Sequence, residues 1–283
     1  MTLISQIESL DAAHRDALQS VAQAGWSASE LQPFGIELRC SDSGTLCEFA
    51  SLDADALSVL AWRHGHVVLS QVRALNQSDM EAQAARFGPL LRWNFGFTFH
   101  VKPERNFKST VASRGSVPLH FDGMFYTNVP RFQLFQCITP PDNGGETTFV
   151  HTVPLARALS PELRAELRRT SVKYYTPHLD YFGGAVTEFP LLRAHPNLLG
   201  ADVLLHHQRH EGDVTQPVRR TVATERERAL LDDVEARVFD ARFVRYHTWS
   251  ANQFVLADNV GQLHGRRGFG DTGDRLLYRI HVL

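Results

Sequence analysis

From about residue 91 onward the chain is broken into short strand-length pieces, and this restricts its fold more than any other feature. Apolar and β-branched residues cluster at 91–101, 117–122, 132–139, 147–152, 171–175, 243–248, 253–257 and 275–282, with Gly, Pro and Asn between them. Runs of that length separated by turn-forming residues read as strands. They do not alternate with helices, and no glycine-rich loop follows a strand, so a nucleotide-binding doubly wound sheet is not expected. The pattern predicts a mainly β fold with flanking helices, a sandwich or jelly roll.

The helices are expected mostly in the first hundred residues. Ile7, Leu10, Leu18, Val21 and Ala22 recur at helical spacing over 5–24, and a second helix is expected at 54–63. A strand is expected at 66–72. Ser78-Asp79-Met80-Glu81 has the form of a capping box, and Gly88 suits a helix stop, which predicts a helix over 79–87. Ser160-Pro161-Glu162 opens another, with Ser as cap and Pro at the first helical position, and 224–238 reads as the last. With 283 residues, 43% of them hydrophobic, one sizeable core is affordable. A single domain over 1–283 is expected, with a helical and strand part at 1–100 and a jelly-roll core with a helical insert at 101–283.

Charge excludes some partners. The net charge is −2, and the arginine pairs Arg219-Arg220 and Arg266-Arg267 form no long basic run. Nothing here suits nucleic acid or an anionic membrane, and no stretch of about 18 apolar residues predicts a membrane span. The three cysteines, Cys40, Cys47 and Cys137, lack tight pair spacing. They read as reduced thiols. The first residues lack a basic start and an apolar run, so a cytoplasmic protein is expected. A small-molecule substrate is the expected partner, and self-association into a homo-oligomer is left open.

Fourteen histidines invite a metal reading, but a lone histidine is more often a surface or hydrogen-bonded residue. His120-Phe121-Asp122 differs. On a strand, residues i and i+2 share a face, so an imidazole and a carboxylate would stand side by side with Phe121 turned away. Two histidines and one carboxylate on one face of a metal form the triad of non-haem iron(II) oxygenases. His264 can supply the third ligand. His178-Leu179-Asp180 has the same spacing, but lies in a turn-rich setting that positions ligands less well. His206, His207 and His210 read as a polar surface strand end. Arg275 and Arg279 follow His264 on the last predicted strand. 2-Oxoglutarate would chelate iron through its keto oxygen and one carboxylate, and its other carboxylate needs a partner that stays charged, which Arg provides. The plainer alternative makes both arginines surface charges on an edge strand.

These segments resemble the taurine dioxygenase (TauD/TfdA) family of iron(II)/2-oxoglutarate enzymes. The resemblance rests on His120-Phe121-Asp122, Gly144-Gly145-Glu146-Thr147, Asp258-Asn259 with His264, and Arg275 with Arg279, in the family's order over about 117–282. It implies a double-stranded β-helix of clavaminate synthase-like type, a metal centre of His120, Asp122 and His264, and O2 as second co-substrate. It further implies that Thr147 bonds the co-substrate carboxylate paired with Arg275, and that Arg279 matches a second arginine nearby. The segments at 117–125, 142–149 and 263–266 resemble the branch that tailors tyrosine- or tryptophan-derived isonitriles, as in paerucumarin-type biosynthesis. That branch implies oxidative decarboxylation or desaturation. Asp122 stands where related halogenases carry a small residue, which disfavours halogenation.

Phe121, Phe125, Tyr126, Trp93 and Phe95 suit either an aromatic substrate or the core. Gln136, Arg266 and Arg267 are candidates for a substrate carboxylate. Three competing readings stay open: an amino-acid or sulfonate hydroxylase of the same family, a jelly-roll binding protein without chemistry, and a zinc hydrolase with Glu146 as base.

Overall fold

The computed structural model describes residues 3–42, 44–104, 112–125, 128–175, 186–206, 208, 219–221, 224–270 and 274–283. The first part of the chain forms helix α1 (Leu3–Gln23), strands β1 (Trp26–Glu30) and β2 (Ile36–Cys40), α2 (Ala54–His64), β3 (His66–Ser70), α3 (Gln77–Ala84) and β4 (Thr98–Val101). The middle forms β5 (Val117–His120), β6 (Phe132–Thr139), β7 (Thr147–His151), α4 (Thr152–Ala158), α5 (Pro161–Arg169) and β8 (Ser171–Tyr175). Short strands β9 (Thr187–Pro190), β10 (Leu192–Ala194), β11 (Asp202–Leu204) and β12 (Arg219–Thr221) follow. The last part forms α6 (Glu225–Arg237), β13 (Val244–His247), β14 (Phe254–Asp258), β15 (Gln262–Arg266) and β16 (Leu276–Val282).

Two sheets carry the fold. The major one has the order β1-β2-β3-β14-β6-β16-β4, and the minor one β13-β7-β15-β5. Every pairing in them is antiparallel except β2 with β3. Strands from before residue 100 and after it thus lie in one sheet.

Period-two alternation sorts the side chains into layers. Phe132, Leu134, Phe254, Leu256 and Ile280 join Leu57, Leu60 and Val21 of the helices in one buried cluster. Their neighbours Phe135, Cys137, Val255, Ala257 and Leu277 meet Phe149 and Trp249 in a second cluster, between the sheets. A third cluster lies beyond the minor sheet, where Leu119, Val150 and Leu263 pack with Leu231 and Val234 of α6. The layer between the sheets holds the polar groups described below. Each large apolar side chain buried here contributes about 1.5–3 kcal/mol.

Some expectations change. The helix expected at 79–87 starts earlier, because Asn76 rather than Ser78 caps it and accepts from Asp79 N. The strand expected over 91–101 shrinks to β4, since Trp93 and Gly96 exchange backbone bonds in a tight turn with Gly96 at φ 114°. Cys40 and Cys47 form a disulfide with Cα atoms 5.8 Å apart, and only Cys137 is a free, buried thiol. The pair is seven positions apart in sequence, but the bridge between Cys47 and Val72 turns the chain back beside the end of β2. His206 is buried and pairs with Glu235 at 3.3 Å, contrary to a surface position. His207, His210, Tyr126 and the His178–Asp180 decoy lie outside the described residues.

Buried histidines make the fold acid-sensitive. Burial lowers His151 and His247 to about 3, and pushes His66 well below its usual value. The unfolded chain binds more protons than the native one below about pH 6.5, so stability is complete above that pH and falls as the pH drops toward 3. Each such histidine contributes a slope of about 1.4 kcal/mol per pH unit in that window. Denaturant melts at pH 7, 6 and 5 should therefore show progressively lower midpoints. A midpoint unchanged from pH 7 to 5 contradicts neutral burial.

Candidate metal centre and anion pocket

His120 ends β5 and His264 lies mid-β15, and the two are direct partners across the ladder. Their ring centroids are 4.2 Å apart. Asp122 is not on the strand as expected; β5 stops at His120, and Asp122 opens the following turn. The carboxylate nevertheless joins the histidines: Oδ1 lies 3.4 Å from His120 Nε2, and Oδ2 lies 3.6 Å from His264 Nε2. One ligand atom from each of the three residues lies within 4.8 Å of the others.

The hydrogen bonds fix the polarity of this group. His120 Nδ1 lies 2.8 Å from Pro118 O, which can only accept, so the ring proton sits on Nδ1. His120 Nε2 is the ring atom that faces the carboxylate, so a cation held there would meet a nitrogen and an oxygen ligand. Burial lowers His264 well below its usual value, so it is a neutral imidazole at neutral pH. The donor set of two imidazoles and one carboxylate fits a divalent transition metal.

Asp122 is held from outside the triad. Asn259 accepts from Asp122 N and donates to Asp122 O, both at 2.9 Å, and clamps that backbone as a strand neighbour would. Gln133, His281 and Arg279 all donate to Asp122 Oδ2, at 2.6, 2.7 and 2.9 Å. Burial alone would raise this carboxyl, but the Arg279 guanidinium above all outweighs it and holds the group well below the usual carboxylate range. Such outer partners orient ligands and tune the metal. Gln133 and His281 have no sequence signature; they are cross-strand partners of β6 and β16 only once the sheet forms.

Next to the triad lies a small cavity lined by Val101, Phe135, Thr147, Arg275, Leu277 and Arg279, with His120 and His264 in its wall. Arg275 is 3% exposed, and its Nε and Nη1 have no hydrogen-bond partner among the described residues. Burial lowers its guanidinium to about 10, which leaves it charged at neutral pH. Cys137 offers no counter-charge, because burial pushes its thiol up to about 12. A buried, charged and unpaired guanidinium is costly unless an anion joins it. A dicarboxylic acid fits that requirement.

The remaining candidates divide. Gln136 is fully buried and donates to Leu75 O, on the opposite face of β6 from Phe135. Arg267 stacks on Tyr246 in an outer groove. Arg266 lines the inner cavity but donates to Ser113 O and Gly115 O. Glu146 does not line the cavity. Phe121 and Phe125 belong to the core beyond the minor sheet. Trp93 and Phe95 stack at 5.8 Å, and Phe99 lies 5.3 Å from Phe95. This aromatic group covers Arg279 and His281, with Phe99 5.2 Å from the Arg279 guanidinium and Trp93 5.3 Å from the His281 ring.

Comparison with known proteins agrees with this geometry. The family model for taurine catabolism dioxygenase TauD, TfdA family, matches residues 27–281. A 3-((Z)-2-isocyanoethenyl)-1H-indole synthase of Fischerella ambigua is 30% identical over 267 residues, covering 92% of this chain and 96% of that protein. A tyrosine isonitrile desaturase of Erwinia amylovora is 29% identical, covering 88% of this chain and 87% of its own. The crystal structure of PvcB from Pseudomonas aeruginosa superposes with a TM-score of 0.74 at 25% identity, over 91% of both chains. Metal-ready triad, unpaired arginine and end-to-end sequence likeness converge, and the chain belongs to the TauD/TfdA family of dioxygenases.

Proposed function

We propose that this enzyme is an iron(II)/2-oxoglutarate-dependent oxygenase that desaturates or oxidatively decarboxylates a tyrosine- or tryptophan-derived isonitrile. His120, Asp122 and His264 hold the iron, and Thr147 and Arg275 hold the distal carboxylate of 2-oxoglutarate, with Arg279 beside them. The observation that carries this is the buried Arg275 guanidinium, whose Nε and Nη1 have no partner among the described residues, in one cavity with His120 and His264. A binding protein has no use for that pairing, and a hydrolase has no use for the arginine. The bound iron, with 2-oxoglutarate and O2, supplies the oxidising power that removes hydrogen from the substrate. The chain orders and shields those reactants.

The substrate class is supported by two observations. PvcB is an iron, α-ketoglutarate-dependent oxygenase from an isonitrile synthetic pathway, and of the relatives named above one makes an isocyanoethenyl indole and the other desaturates tyrosine isonitrile. Trp93, Phe95 and Phe99 give this chain an aromatic surface one layer from the triad. The fold is read as a single domain, since strands from both ends of the chain share the major sheet.

The test is aerobic incubation with iron(II), 2-oxoglutarate and each isonitrile acid, followed by mass spectrometry. Desaturation alone removes two hydrogens from the substrate, and oxidative decarboxylation removes CO2 as well, while one 2-oxoglutarate becomes succinate in either case. Hydroxylation instead adds one oxygen and keeps every carbon, and that product assigns the chain to the amino-acid or sulfonate hydroxylases. Substrate consumed without succinate excludes the oxygenase itself.

A further inference from the structure

We propose that Trp249 is a positioning residue for 2-oxoglutarate, which sets the Thr147 hydroxyl to act as a donor into the anion pocket. The inference rests on the assignment of Thr147 and Arg275 to the co-substrate carboxylate. Trp249 follows β13 in a loop and is 4% exposed. Its indole packs edge-on against His247 at 4.6 Å and tilted against Phe135 at 5.9 Å, so the ring is fixed in place. Its Nε1 lies 2.9 Å from Thr147 Oγ1. Thr147 in turn lines the cavity with Arg275.

The polarity follows from the chemistry of the two groups. An indole N–H can only donate, whereas a hydroxyl has one proton and two lone pairs. The Trp249 bond occupies one lone pair of Oγ1 and keeps the hydroxyl proton away from the indole. That proton is then available to the cavity, where a carboxylate can only accept. Without the indole N–H, the hydroxyl is free to turn a lone pair toward the cavity, which repels an anion. Trp249 thereby makes Thr147 select an acceptor, as Arg275 selects a negative charge. A buried donor that is held before the ligand arrives binds more tightly than one that must first be turned.

Trp249→Phe removes the N–H and keeps an aromatic ring. Calorimetric titration of the anaerobic iron(II) enzyme with 2-oxoglutarate should give a Kd about 3- to 10-fold higher in this variant, from loss of one oriented hydrogen bond. Iron affinity and kcat at saturating co-substrate should stay within about twofold of the parent, while the KM for 2-oxoglutarate rises with Kd. In a Thr147→Val background, Trp249→Phe should have no further effect on Kd, because the hydroxyl it acts through is gone. An undiminished effect in that background, or a Kd unchanged by Trp249→Phe alone, overturns the proposal. If Thr147→Val itself leaves Kd unchanged, the assignment of the pocket fails instead. Should Trp249→Phe not fold, the indole N–H resonance of Trp249 in the parent serves. It should shift on Thr147→Val and again on co-substrate binding, and a resonance that ignores both overturns the proposal.

Discussion

Asp122→Ala should abolish turnover and reduce iron(II) affinity by more than about 100-fold, beyond the 10- to 100-fold typical when an outer partner of a metal ligand is removed. It should also destabilise the protein. Gln133, His281 and Arg279 converge on Asp122 Oδ2 and would lose their acceptor together. Breaking a buried ion pair on one side leaves an uncompensated charge, at a cost of about 3 kcal/mol. Asp122→Asn keeps the volume and one acceptor oxygen, so it should recover part of the stability but little of the iron binding. Isothermal titration with iron(II) and denaturant melts of the two variants separate the ligand role from the structural one. Wild-type iron affinity in Asp122→Ala would remove the carboxylate from the metal centre.

Arg275→Met should act with opposite signs on the two properties. Co-substrate affinity should fall by roughly 2–5 kcal/mol, the range for truncating one member of a buried charge pair. That is a rise in Kd of between about 30-fold and a few thousand-fold. Stability without co-substrate should hold or rise, because the guanidinium is buried with Nε and Nη1 unpartnered, and an apolar side chain of similar reach removes that penalty. Arg275→Lys should recover little affinity, since an ammonium lacks the planar fork that meets a carboxylate with two parallel bonds. Melting curves and co-substrate titrations on the same samples show both signs at once. A large fall in stability would instead make Arg275 a structural residue.

Much of this architecture was legible in the residues. Period-two runs and turn residues indicated the strands, and the Ser160-Pro161 start of α5 stands as read, with Ser160 accepting from Leu163 N. The triad residues and Arg275 were picked out because their chemistry is rare in combination, and the structure brings them into one place. What escaped depends on contacts between distant segments. Asp122 leaves the strand after His120, and its backbone is held instead by Asn259 from 137 residues away. Gln133 and His281 become neighbours through the pairing of β6 with β16, and no local pattern carries that register. Trp249 gains its role from a single bond to Thr147 across 102 residues. The Cys40–Cys47 disulfide has the same origin, because the return of the chain beside Val72 brings the two sulfurs together.

The most direct test is an anaerobic titration of the protein with iron(II) and 2-oxoglutarate, followed by visible absorption. Chelation of iron by the keto acid produces a charge-transfer band that neither component gives alone. The band should appear with one equivalent of each, vanish in Asp122→Ala, and require far more 2-oxoglutarate in Arg275→Met. A band of full strength in Asp122→Ala, or none in the parent protein, would contradict the metal centre described here.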